Sequence, residues 1–111
     1  MSKSQRDKGA RGATAAKHLL LDRDWVVDQI TAGIKSEDMI ATDPHGIVWS
    51  VEVKNCVSIT AAHKKQAMDQ ANARKLPWML MSHIHGTKFW LIQRRNTAPC
   101  IWEQKRLENL L

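Results

Sequence analysis

The segment Asp43-Pro44-His45-Gly46-Ile47 constrains this chain more than any other, because it has the chemistry of a three-residue hairpin loop and thereby sets which side chains share a sheet face. Pro44 has the fixed φ that opens a type I turn, and Gly46 supplies the left-handed residue that closes it. With Asp43 paired to Ile47, Ala41 faces Trp49, Met39 faces Val51, and Asp38 lies opposite Glu52. One side of the hairpin then carries Met39, Ala41, Ile47, Trp49, Val51 and Val53, and the other Asp38, Ile40, Thr42, Ser50, Glu52 and Lys54. The first reads as a core face and the second as mostly polar, as a half-buried antiparallel pair requires. A loop of even length would send Asp38 and Glu52 to opposite faces and mix the apolar sets. Asp43 is an acid too, but as the residue that opens the turn it reads as structural.

Around this hairpin the pattern predicts one domain. Residues 1–11 are polar, basic and glycine-containing and read as a flexible arm, leaving 12–111 as the folded domain. A first helix is expected over 12–22 from Ala13, Ala15, Ala16 and Leu19 to Leu21, and a strand over 24–31 from its β-branched content. Residues 35–37 form the loop into the strand that enters the hairpin. After the hairpin, Ser58 or Thr60 can cap a helix running to about Lys75, with Arg74 and Lys75 at the negative end of its dipole and Pro77 stopping it. Residues 78–84 and 88–93, separated by Gly86, read as a second hairpin, and 103–111 as a short terminal helix. The order helix, three strands, helix, two strands predicts an α/β (α+β) fold, a central mixed sheet of about five strands flanked by helices.

Seventeen Lys and Arg against eleven Asp and Glu leave a net charge of +6 on 111 residues, a field suited to a polyanion, nucleic acid first. The charge is clustered: Lys3, Arg6, Lys8, Arg11 and Lys17 lie near the N-terminus, and Lys64, Lys65, Arg74, Lys75, Arg94 and Arg95 follow later. No apolar run approaches the roughly 20 residues of a membrane span, and no apolar stretch follows the basic start as in a secretion signal, so a cytoplasmic protein is expected. Cys56 and Cys100 are too few for a disulfide framework. His63, His83 and His85 match no structural zinc spacing with them.

Asp38 opposite Glu52, with Lys54 two residues along the same strand, places two carboxylates where they repel unless a cation intervenes. A divalent metal is the natural remedy, and Mg²⁺ is commonly held by one or two carboxylates with a substrate phosphate completing its shell. Lys54, on the same face, is placed to orient or deprotonate the attacking water, or to stabilise a phosphorane-like transition state. The alternative is a cross-strand set of solvated charges, common on exposed sheet faces.

Asp38, a hairpin and then Glu52-Val53-Lys54 resembles the PD-(D/E)XK nuclease signature, with Glu37-Asp38 where the family often has Pro-Asp. The basic Lys8-Gly9-Ala10-Arg11-Gly12 before the first helix and Gln66 on the helix after the motif extend the resemblance to the archaeal and phage-encoded Holliday junction resolvases over about residues 6–93. The resemblance implies a restriction-endonuclease-like fold and a Mg²⁺-dependent endodeoxyribonuclease, with Mn²⁺ as a substitute metal. It implies that Asp38, Glu52 and the Val53 carbonyl hold the metal, that Asp38, Glu52, Lys54 and Gln66 form the catalytic set, and that Lys3, Arg6, Lys8, Arg11, Lys64 and Lys65 contact DNA. The implied partner is branched DNA such as a four-way junction, bound by a homodimer. Apolar residues of Trp78–Met81 and Phe89–Ile92 are the expected subunit interface, since so short a chain cannot cover both sheet faces. Trp49 and Trp90 fit buried strand faces, and Trp78 and Trp102 fit exposed ones.

One departure stands out. Resolvases of this kind carry a glutamate early in the first helix, after Arg-Gly, where this chain reads Arg11-Gly12-Ala13. Either Glu37 substitutes as a ligand, or metal is held more weakly, or the chain is a DNA-binding module of the same fold that has lost cutting.

Overall fold

A computed structural model describes residues 3–30, 39–54 and 60–104. Its elements are α1 (Lys3–Leu21), β1 (Val26–Ile30), β2 (Met39–Thr42), β3 (Val48–Lys54), α2 (Ala61–Ala73), β4 (Trp78–His83), β5 (Phe89–Arg94) and β6 (Thr97–Glu103). The strands form one sheet in sequence order, antiparallel throughout except for the parallel pair β3–β4 that α2 connects.

The central hairpin forms as its turn chemistry dictates. Asp43 N–H donates to the Ile47 carbonyl at 2.8 Å, Gly46 N–H donates to the Asp43 carbonyl at 2.9 Å, and Gly46 adopts φ +87°. The register pairs Met39 with Val51 and Ala41 with Trp49. Asp43 is the turn's organiser: its carboxylate accepts from His45 N–H and Ile47 N–H, each at 2.9 Å, and from the Trp49 indole N–H at 3.1 Å.

Both ends of α2 are set by local chemistry. Thr60 and His63 form a reciprocal capping box, each side chain bonding the other's backbone N–H at 3.3 Å. At the far end Leu76 N–H reaches the Ala71 carbonyl and Lys75 N–H the Asn72 carbonyl, the paired bonds of a Schellman motif, with Lys75 itself left-handed at φ 59°. His83 is likewise engaged, its Nε2 2.6 Å from the Thr87 carbonyl in the β4–β5 turn.

Alternation along the strands separates two layers. On one face Ala16, Leu19 and Leu20 of α1 pack with Trp25, Met39, Ala41, Trp49, Val51, Met79, Met81, Trp90 and Ile92 in a single buried cluster. Arg94 caps this layer, its guanidinium 5.7–6.0 Å from the rings of Trp25, Trp49 and Trp102. On the other face α2 packs over β3 and β4, burying Ala67 and Ala71 together with Leu80. No helix among the described residues is long and apolar enough to cross a membrane.

Five expectations need correction. Helix α1 begins at Lys3, so the predicted arm is helical for most of its length. Lys, Arg, Gln and Ala are good helix formers, Gly12 is buried, and a helix anchored by Ala16, Leu19 and Leu20 propagates through two glycines that each cost about 1 kcal/mol relative to alanine. The sheet has six strands, because 97–103 pairs with β5 and carries Glu103 as its last residue; 105–111, the rest of the expected terminal helix, lies outside the described residues. Ile47 is 48% exposed, its place at the mouth of the turn lifting it off the core. Met79, Leu80, Met81, Trp90 and Ile92 are buried, so of the expected interface residues Phe89 is the one left clearly exposed, with the exposed Ile101 of β6 farther along the same strand pair, opposite Leu91. Trp78 and Trp102 are half-buried, whereas Trp49 and Trp90 are buried as expected.

Candidate active site

Strand β3 presents Ser50, Glu52 and Lys54 on the face that α2 covers, and the three differ in accessibility. Ser50 is 2% exposed and Glu52 5%, so Glu52 is not one of a set of solvated charges. Lys54, at the open end of the strand, keeps 23% of its side chain accessible and places its Nζ 3.6 Å from Glu52 Oε1. The same ammonium donates to Gln66 Oε1 at 3.1 Å. A buried carboxylate, a cation and a helix carboxamide therefore meet where the carboxyl end of β3 passes beneath the first turns of α2.

This convergence follows from local structure. Residues 52 and 54 are two apart on one strand and so share a face. The capping box at Thr60 sets where α2 starts, and Gln66 then falls on the flank of the buried Ala67 and Ala71 that turns toward Lys54. Along that flank, Ala62, Lys65, Gln66, Asp69 and Gln70 line an open groove of about 410 Å³. The groove was not foreseen, although positions 62, 66, 69 and 70 follow the i, i+4, i+7, i+8 spacing of one helix face.

The remaining site residues fall into two groups. Asp38 and Glu37 lie outside the described residues, as does Cys56. The register that places Met39 against Val51 has Glu52 as the next position on β3. Lys3, Arg6, Lys8 and Arg11 fall on the first turns of α1, and their side chains are outside the described set. Lys64 and Lys65 are exposed on α2, with Lys65 2.9 Å from Asp69 in an i,i+4 pair whose members are both solvated and which is therefore weak. Ala13 packs against the core cluster, so no carboxylate occupies that place in α1.

The donor set suits a hard, oxygen-seeking cation. Among the described residues no three His, Cys, Asp or Glu side chains cluster as a metal cage. Mg²⁺ needs no such cage, since it keeps several waters and takes one or two carboxylates plus substrate oxygens. Glu52 would offer such an ion one carboxylate, and the neighbouring Val53 carbonyl would be an oxygen ligand from the same strand.

No protein-family model matches the chain, and no curated protein matches it. Among solved structures it is similar to Hjc, a Holliday junction resolvase from the archaeal hyperthermophile Archaeoglobus fulgidus, with a TM-score of 0.59 over 86% of this chain and 88% of that one at 14% identity. At that identity the likeness concerns the path of the backbone, and the path is that of a mixed sheet with a helix on each face. The chain therefore shares its fold with that structure, a mixed sheet flanked by helices of the kind that its acid, hairpin and Glu-x-Lys pattern led one to expect.

Proposed function

We propose that this protein is a metal-dependent endonuclease that hydrolyses phosphodiester bonds in branched DNA, a four-way junction being the substrate that best fits its fold. The observation that carries the reading is the meeting of Glu52, Lys54 and Gln66 at the end of β3 in a resolvase-like sheet. Asp38, Glu52 and the Val53 carbonyl are the ligands assigned to Mg²⁺, with Mn²⁺ as a substitute. A bound divalent ion supplies Lewis acidity toward the scissile phosphate. Burial strengthens the hold of Glu52 on such a cation by keeping water from screening it. Lys54 offers its ammonium to the negative charge that develops on the phosphate oxygens, and Gln66, by accepting from Nζ, aims it.

The positive charge on α1 and α2 supports a sequence-independent grip on the backbone of DNA. A homodimer would set two such centres on symmetry-related strands, with Phe89 and Ile101 among the exposed apolar residues available for the contact. A second reading, a DNA-binding module without cutting, is favoured by Ala13, which is packed against the core where resolvases carry an acid.

Incubation of a labelled four-way junction with and without Mg²⁺, Mn²⁺ and chelator separates the two. Cutting is expected with metal only, and Glu52→Ala is expected to abolish cutting while sparing binding. A wild type that binds the junction and never cuts in either metal leaves the binding module.

A further inference from the structure

Helix α2 has a second groove on its opposite flank, of about 450 Å³, lined by Met68, Asn72, Leu76, Trp78, Arg95 and Asn96. Gln66 and Met68 are two residues apart on a helix and so point to opposite sides of the buried Ala67. Trp78 pairs with Ser50 while Leu80 pairs with Glu52, so the groove lies on the same side of the sheet as the candidate active site, with α2 between them.

The lining has a mixed character. Trp78 is half-buried, and Met68, 41% exposed, and Leu76 extend the apolar wall beside it. Asn72 and Asn96 contribute carboxamides that both donate and accept, and Arg95 contributes a planar cation. None of the lining residues is acidic, and the exposed Arg74 and Lys75 follow on the same end of the helix. The backbones of Arg95 and Trp78 are tied together, the Arg95 N–H donating to the Trp78 carbonyl at 3.2 Å, so both residues border the groove. The groove is of the size of small-ligand sites, which run from about 300 to 1,000 Å³.

A flat ring, a hydrogen-bonding edge and an anion side by side describe a nucleotide whose base is free of its partner. A fully paired duplex withholds the ring face, and an acidic peptide brings the anion without the ring. We infer that this groove takes one unpaired nucleotide of a DNA substrate, its base stacked on Trp78, its edge met by Asn72 and Asn96 and its phosphate held by Arg95. The ligand class rests on the reading of this protein as one that acts on DNA; the groove does not depend on cutting.

The test is therefore run without metal, on two duplexes that differ by one extrahelical nucleotide. Wild type is expected to prefer the DNA with the extra nucleotide, and Trp78→Ala to reduce that preference by about tenfold, the scale of one base–aromatic stack. Trp78→Phe should keep most of it, and Arg95→Ala should weaken binding and flatten its salt dependence. As a measurement that needs no variant, 5-iododeoxyuridine at the extra position should photocrosslink to Trp78. Equal wild-type affinity for the two duplexes, an equal loss on both with Trp78→Ala, or a crosslink to a residue outside the groove overturns the assignment. Binding to neither DNA removes the DNA-acting reading as well, whereas cutting of a four-way junction by a protein indifferent to the extra nucleotide removes the groove alone.

Discussion

Replacing Lys54 with methionine removes the ammonium that lies 3.6 Å from Glu52 while keeping most of the length of the side chain, and the structure sets the size of the effect. At 3.6 Å, with the effective dielectric of about 20 that suits pairs near a protein surface, the attraction is about 4–5 kcal/mol before solvation is counted. Lys54 keeps 23% of its side chain in solvent and Glu52 7%, so screening and the lost hydration of the carboxylate reduce the net coupling to about 1–2 kcal/mol. Urea unfolding at pH 7 of wild type, Lys54→Met, Glu52→Gln and the double variant measures that coupling as a cycle. Lys54→Met alone should cost more than the double variant, because it leaves the carboxylate buried without its ammonium. Added Mg²⁺ supplies the second half of the test. A site with a millimolar Kd gains about 1.4 kcal/mol in about 10 mM Mg²⁺ by mass action, and Lys54→Met should gain at least as much as wild type while Glu52→Gln gains little. A coupling below about 0.3 kcal/mol, the limit at which distant sites add, would show that the two charges do not act together. Equal Mg²⁺ stabilisation of wild type and Glu52→Gln would remove Glu52 from the proposed set of metal ligands.

Two further outcomes concern the frame that carries the site. Burial acts to raise the Asp43 carboxyl, but hydrogen bonds from Trp49, Ile47 and His45 outweigh it and hold the pKa below the ordinary 3.8. A pKa depressed by folding contributes stability that is fully present above about pH 4 and lost as pH falls through the folded value, so Asp43→Asn should cost about 1 kcal/mol at neutral pH and less at pH 3; a gap that stays constant with pH would contradict this. Lys75 occupies the left-handed position that ends α2, where glycine avoids the Cβ penalty, so Lys75→Gly should raise the urea midpoint by an amount equivalent to about 0.5 kcal/mol once the added freedom of the unfolded chain is discounted. A lowered midpoint would mean that the lysine side chain contributes more than its backbone conformation costs.

The legible parts of this fold are those whose cause lies within a few residues. Pro44 and Gly46 specify a turn, the turn sets a register, and Met39 meets Val51 without help from the rest of the molecule. The start of α2 at a capping residue and its end before Pro77 are local in the same way. Strand β6 was not expected, and it contains Pro99, a residue without the N–H that a ladder bond needs. Pairing makes the difference: β6 is an edge strand, and Pro99 falls where the β5–β6 register shifts, so its missing N–H costs no regular ladder bond. The helical start of α1 was hidden by Gly9 and Gly12, whose local penalty is overcome by an anchor farther along the helix.

For the candidate site, the sequence alone determined that Glu52 and Lys54 share one face of a strand, since side chains alternate with a period of two whatever surrounds them. Only the tertiary structure decided that Glu52 is buried, that Gln66 reaches Lys54, and that Trp78 and Arg95 come together across a gap of seventeen positions in the chain. Burial and approach between distant segments depend on where a helix lands on a sheet, and that is set by the packing of Ala67 and Ala71 over Leu80, a choice that no single stretch of residues can make by itself.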